Sequence, residues 1–334
     1  MDEAVLPSPC RCGGRAVVVE TIGPNKGGTR LGVIDALGAG FSTINKKLAL
    51  VLIPIVLDLF FWLGPRLSVP AFHVGSPLNG LPADSQSMLE QFEQSVNALT
   101  QGFNGFTLLG IGVPNLLGSN TDPTSLLGTT VIEVHGKVLF AGLMVAIAIF
   151  GLFLTSLYLT LIAQVVRDGR LRWRRLYRVL VYWGRLLLLM LVIGVVAVAI
   201  ILPFAVVSML AAQASTGLWV FMAFLLQGPM YMLLLIFIFA AMAIFVDDAR
   251  PLVAISRSMA VLTRSFWSSL GLLVLVATVF LGFPYVWQAI MRNPYGVVLA
   301  ILGNAYIGTA FATAIMLFYR DRAAQLVKRA KPPA

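Results

Sequence analysis

Apolar residues dominate six stretches of the chain, near 48–69, 138–164, 186–210, 218–245, 267–290 and 297–319. A hydrocarbon core takes about 20 helical residues to cross, so each stretch is long enough for one pass. The pattern predicts an all-α, polytopic membrane helical bundle with six transmembrane helices. A second periodicity precedes the odd-numbered spans, where an amphipathic stretch ends in a basic residue. The first runs from Val33 to Lys46-Lys47, the second from Trp173 to Arg185 and the third from Leu252 to Arg264. Aligning Ala36 with Ala254 also brings Phe41 over Met259, Ile44 over Leu262 and Lys46 over Arg264. Such helices lie in the headgroup region with their basic residues in water. Two readings stand: chance likeness between apolar helices, or three repeated units, each an interfacial helix and a transmembrane hairpin.

The loop 70–137 breaks this compact layout. Met88, Leu89, Phe92, Val96, Leu99 and Phe103 recur there at helical spacing. The stretch Phe106–Leu117 is apolar again but punctuated by Gly110, Gly112 and Pro114. One amphipathic helix and one hydrophobic re-entry are expected on the outer membrane face, either capping the bundle or receiving a partner. Residues 1–30 are expected to be a flexible tail, 31–319 the membrane domain and 320–334 a basic tail.

Composition sharpens the class. Of 334 residues, 59% are hydrophobic and only 11% charged, against about 25% charged in soluble domains. The net charge of +10 does not point to nucleic acid, because the basic residues fall in short segments between the spans. With the N-terminus inside, 21 of the 24 lysines and arginines lie on the inner side and only Arg66, Lys137 and Arg292 outside. The positive-inside bias therefore puts both termini in the cytoplasm, with a bacterial plasma membrane as the expected host. Cys10 and Cys12 are too few for a zinc site, and both histidines, His73 and His135, fall in the outer loop.

The segment Phe245-Val246-Asp247-Asp248-Ala249-Arg250-Pro251 continues through Ala254, Arg257-Ser258 and Leu262-Thr263-Arg264 to Phe266-Trp267. It resembles the signature of a group of bacterial six-span proteins. There an acidic pair after one span precedes an Ala-x-x-Arg-Ser helix and a Leu-Thr-Lys/Arg motif leading into the next. That group includes the YciC-like membrane proteins and the membrane domain attached to some glycerophosphodiester phosphodiesterases. The resemblance implies the six-span fold and carries no catalysis, since the phosphodiesterase domain is a separate soluble barrel. Locally, Asp247 and Asp248 would suit the helix dipole at the start of the interfacial helix.

Candidate chemistry is sparse. Asp58 is the one ionisable residue deep in an expected span, where a charge costs about 2.5–3.5 kcal/mol. It reads either as a proton or cation site, or as a carboxyl tying the first helix to Asn304, Thr309 or Gln227. Gln227-Gly228-Pro229 in the fourth span reads as an ordinary kink or as a transporter's broken helix. Gly303, Asn304, Gly308, Thr309 and Thr313 suit close packing with polar cross-links. Arg172, Arg174, Arg175, Arg178 and Arg185, with Arg257 and Arg264, form basic belts interleaved with aromatics. They anchor the inner surface, or bind an anionic lipid headgroup at about 1 kcal/mol for each charge. No catalytic set, nucleotide loop or cofactor site is visible. The sequence thus points to a non-enzymatic protein that organises lipids or assembles with an envelope partner. A small-solute or lipid transporter using Asp58 and the kinked fourth span is the alternative.

Overall fold

The computed structural model describes residues 31–68, 94, 104–119, 131–134, 136–171 and 176–330. The expected helix over 88–103 therefore lies outside the described residues, apart from position 94. The chain begins with α1 (Val33–Lys46), a 3-10 turn (Leu48–Val51) and α2 (Leu52–Leu63). Two three-residue strands, β1 (Arg66–Ser68) and β2 (Val131–Glu133), pair in parallel, Leu67 opposite Ile132. Five long helices follow: α3 (Lys137–Asp168), α4 (Arg178–Ala214), α5 (Thr216–Asp247), α6 (Pro251–Ile290) and α7 (Pro294–Ala330).

Each of these five is long and apolar enough to cross a membrane, so the chain is an all-α polytopic bundle. The first expected span is the exception. Its apolar helical segment, Leu48–Leu63, has only 16 residues, whereas a full crossing takes about 20. Gly64 and Pro65 explain the stop. Gly64 is extended at φ −82°, ψ 174°, the conformation a following proline imposes on its neighbour. At the other end of the chain, α7 runs past Tyr319 to Ala330, so much of the stretch expected as a tail continues the last helix.

The helices form three units, each pairing an outer element with an inner helix. The outer elements are α1–α2, α4 and α6; the inner helices α3, α5 and α7 pack on one another. Burial separates the two classes. Half of the most apolar stretch of α5 and 56% of that of α7 are buried, against 11% in α4 and 17% in α6. α3 is buried mainly in its second half, around Tyr158, Ile162 and Ala163. Each inner helix carries an aspartate toward the same end of the bundle: Asp168 and Asp247 finish α3 and α5, and Asp321 lies within the last part of α7. There the three are laced together. Arg167 reaches the Val246 carbonyl at 3.5 Å, Arg320 donates to the Val166 carbonyl, and the Tyr319 hydroxyl donates to Asp247 at 2.8 Å.

The repeat extends to the crossings between outer and inner helices. Moving 79 positions along the chain carries Asp168 to Asp247, Val179 to Ser258 and Arg185 to Arg264. The Ser156 hydroxyl of α3 donates to the Val179 carbonyl at 3.0 Å, and the Ser258 hydroxyl donates to the Ile236 carbonyl of α5 at 2.8 Å. A shift of 218 positions relates α1 to the first part of α6. Ala36 and Ala254, Gly40 and Ser258, Ile44 and Leu262, and Val51 and Ser269 are all buried. Gly40 sits so close to α7 that a Cβ would strike the Ala310 carbonyl and the Ala314 side chain. Lys47 after α1 (φ −142°, ψ 56°) and Ser265 inside α6 (φ −139°, ψ 34°) break the helix in nearly the same conformation. The second unit departs from this plan: α4 continues without a break from Arg178 to Ala214, so only two of the three amphipathic stretches are set off from their spans.

The third unit closes back on the first. Asp321 of α7 accepts from the Leu31 amide at 3.3 Å and Arg322 donates to the Leu31 carbonyl at 3.0 Å, which places the start of α1 against the end of α7.

Candidate functional site

The shortness of α2 leaves space that the segment 104–119 fills. A 3-10 helix, Gly105–Gly110, packs along α3, and a second, Leu117–Ser119, packs on α2. The expected hydrophobic re-entry is therefore inserted among α2, α3 and α7 rather than laid over them. At 1.5 Å per residue, Gly151 is about 21 Å from the start of α3, and a Cβ there would collide with the Leu108 carbonyl. Pro114 meets Gly308 of α7 just as closely.

Non-helical backbone at membrane depth is tolerated only where protein groups satisfy it. Four side chains do so here. The Thr155 hydroxyl donates to the Ile111 carbonyl. The Asn115 amide donates to the carbonyls of Gly110 at 3.1 Å and Val113 at 2.9 Å. The Asn104 carbonyl oxygen accepts from Leu67 at 3.0 Å and Phe106 at 3.1 Å. Finally, Asp58 Oδ1 accepts from the amides of Leu116 at 2.8 Å and Leu117 at 3.1 Å. Asp58 itself is 0% exposed, and its Oδ2 has no hydrogen-bond partner among the described residues. In the third unit the corresponding position, 218 residues on, is the apolar Val276. A carboxyl group stands where an irregular segment must be held, and a valine where none of the described segments enters.

Asp58 is therefore tied, but not to the partners the sequence suggested. Gln227 is exposed on α5, and α2 packs on α7 and the inserted segment instead of on α5. α5 runs unbroken through Pro229. Asn304 is buried at 7% exposure, with Nδ2 unpartnered among the described residues. Thr309 and Thr313 donate to the Ala305 and Thr309 carbonyls of their own helix, a usual arrangement for such residues inside membrane helices. Gly303 and Gly308 do serve close packing, against Trp287 and Pro114. Among the described residues no three His, Cys, Asp or Glu side chains come together.

The second candidate is the charged end of the bundle. Asp247 and Asp248 do not start an interfacial helix; they finish α5. Asp248 is left-handed at φ 55°, ψ 30°, and the Ala249 amide bonds back to the Ala243 carbonyl at 3.4 Å, a Schellman-like helix end. Arg250 is extended before Pro251, which opens α6. Arginines converge on this turn. Arg178 lies 3.3 Å and Arg185 2.5 Å from the Asp248 carboxylate, and Arg185 also donates to the Asp248 carbonyl at 2.8 Å. Arg257 pairs with Asp247 at 3.1 Å. Three arginines expected to face headgroups are thus engaged in ion pairs, while their side chains remain 25–48% exposed. Arg264 is exposed next to the Ser265 break. Arg172, Arg174 and Arg175 lie outside the described residues.

Comparison of the chain with protein-family models, characterised proteins and solved structures finds no match. The resemblance over residues 245–267 rests on those residues alone.

Proposed function

We propose that this chain is a non-enzymatic membrane protein that organises lipids, preferring anionic ones, with both termini and its charged end on the cytoplasmic side of a bacterial plasma membrane. The observation that carries this reading is the role of Asp58. Among the described residues the one buried carboxyl, Asp58, holds the backbone of an inserted segment, which weakens the case for a polar transport route through it. What remains are surfaces. Apolar side chains such as Val198, Leu202, Phe224 and Leu281 stand exposed along the long helices, where lipid tails would meet them. The proposed orientation follows the positive-inside bias, since with the N-terminus inside 21 of the 24 cationic residues would fall on that side. An anionic headgroup near such a surface gains about 1 kcal/mol per basic residue.

Native mass spectrometry of the protein released from nanodiscs of equal phosphatidylglycerol and phosphatidylcholine tests this. Retained lipid should be enriched in phosphatidylglycerol by severalfold. Equal retention of the two would overturn the reading, and a retained solute with no lipid preference would favour a transporter.

A further inference from the structure

Between α2 and α3, beneath the inserted segment, lies a groove of about 700 Å³. Leu52, Val56 and Phe60 form one wall and Ile147 and Leu154 the other, with Phe106 and Leu109 of the inserted segment also lining it. Every side chain lining it is apolar, so water, which needs two to four polar partners, is not a suitable occupant. Its α3 wall, from Ala146 to Leu157, begins about 14 Å into that helix, within the part that crosses hydrocarbon. The groove opens sideways: Leu52 is 60% exposed, Val56 56% and Phe150 53%.

We infer that this groove holds one acyl chain of a membrane phospholipid, with the headgroup beside Lys46 and Lys47. The length and shape argue for a chain. Leu52 to Phe60 gives about 12 Å of continuous apolar wall along α2. The volume also falls in the range of about 300–1,000 Å³ typical of small-molecule pockets. Phe106 sets the direction. Its ring packs edge-on against Phe60, with centroids 5.6 Å apart, at the far end of the α2 wall, so a chain enters from the Leu52 end. One short turn before Leu52 stand Lys46, which is exposed, and Lys47, which is half-buried. Their positive charge complements a phosphate at the level where the headgroup of that chain would sit. Only the headgroup position rests on the anionic-lipid reading above; the chain site stands on the groove.

The test uses the full-length protein in nanodiscs containing a phospholipid with a photoreactive acyl chain, in phosphatidylglycerol and phosphatidylcholine forms, with cross-links mapped by mass spectrometry. Labelling should concentrate on residues 52–60 and 146–157. The substitutions Ala146→Trp and Val56→Trp, on opposite walls, should each reduce it at least fivefold. Ala199→Trp, on an exposed face of α4, should leave it unchanged. Circular dichroism of each variant checks the fold, and two independent walls guard against one of them failing to fold. Labelling spread evenly over the exposed helices, or unaffected by both groove substitutions, overturns the chain site. Labelling that is blocked as expected but equal for the two headgroups keeps the chain site and removes the anionic preference.

Discussion

At the scale of single residues, the most informative side chain is Asp58. Its Oδ1 takes two amides from a segment 58 and 59 positions away in the chain. Asp58→Leu leaves both amides unsatisfied in an apolar interior, at about 1–3 kcal/mol each. Asp58→Asn keeps a carbonyl oxygen with two lone pairs in the same place. The leucine variant should therefore lower the apparent unfolding midpoint in detergent far more than the asparagine variant does. If the two substitutions cost the same, charge and not hydrogen-bond acceptance is what the site requires. Position 58 stood out in the sequence because an ionisable group in an apolar run demands a reason. Its partners did not, because backbone amides leave no mark in a sequence and Leu116-Leu117 read simply as apolar.

At the scale of elements, the helix ends explain where the charges go. The α5–α6 turn needs a left-handed residue, a conformation that costs most L-residues about 1–2 kcal/mol but that aspartate and asparagine tolerate better. Asp248 fills that need and offers its carboxylate to Arg178 and Arg185. Exposed pairs of this kind contribute little, about 0–1 kcal/mol, so the backbone conformation is the larger effect. Asp248→Val should destabilise the protein in a thermal melt by about 2 kcal/mol, and Asp248→Asn by less than half of that. A valine variant as stable as the asparagine one would show that the turn tolerates any residue. The Asp-Asp pair followed by an Ala-x-x-Arg-Ser helix was legible as a motif. That its aspartates end one helix, where the sequence suggested they begin the next, was hidden by a boundary error of a few residues.

For the whole molecule, the sequence announced the bundle because hydrocarbon leaves few alternatives to long apolar helices. The alignment of Ala36 with Ala254 was sound: both are fully buried, as are Ile44 and Leu262, and the breaks at Lys47 and Ser265 follow in register. Two features escaped. The described part of the second unit, from Arg178 on, has no break, although its amphipathic pattern resembles the other two, since periodicity does not record where a helix bends. The first span is short and completed by an inserted segment, which only the glycines and proline between Gly105 and Pro114 hinted at.

This architecture implies that α5 and α7 are held mainly by their neighbouring helices, so loss of the Asp58 tie should open the molecule locally. Hydrogen exchange in nanodiscs, followed by mass spectrometry on wild type and Asp58→Leu, measures this directly. Exchange in residues 104–119 should rise at least tenfold in the variant, while α5 and α7 keep their protection. Unchanged protection of 104–119 would contradict this, and would return Asp58 to the role of an intramembrane proton or cation site.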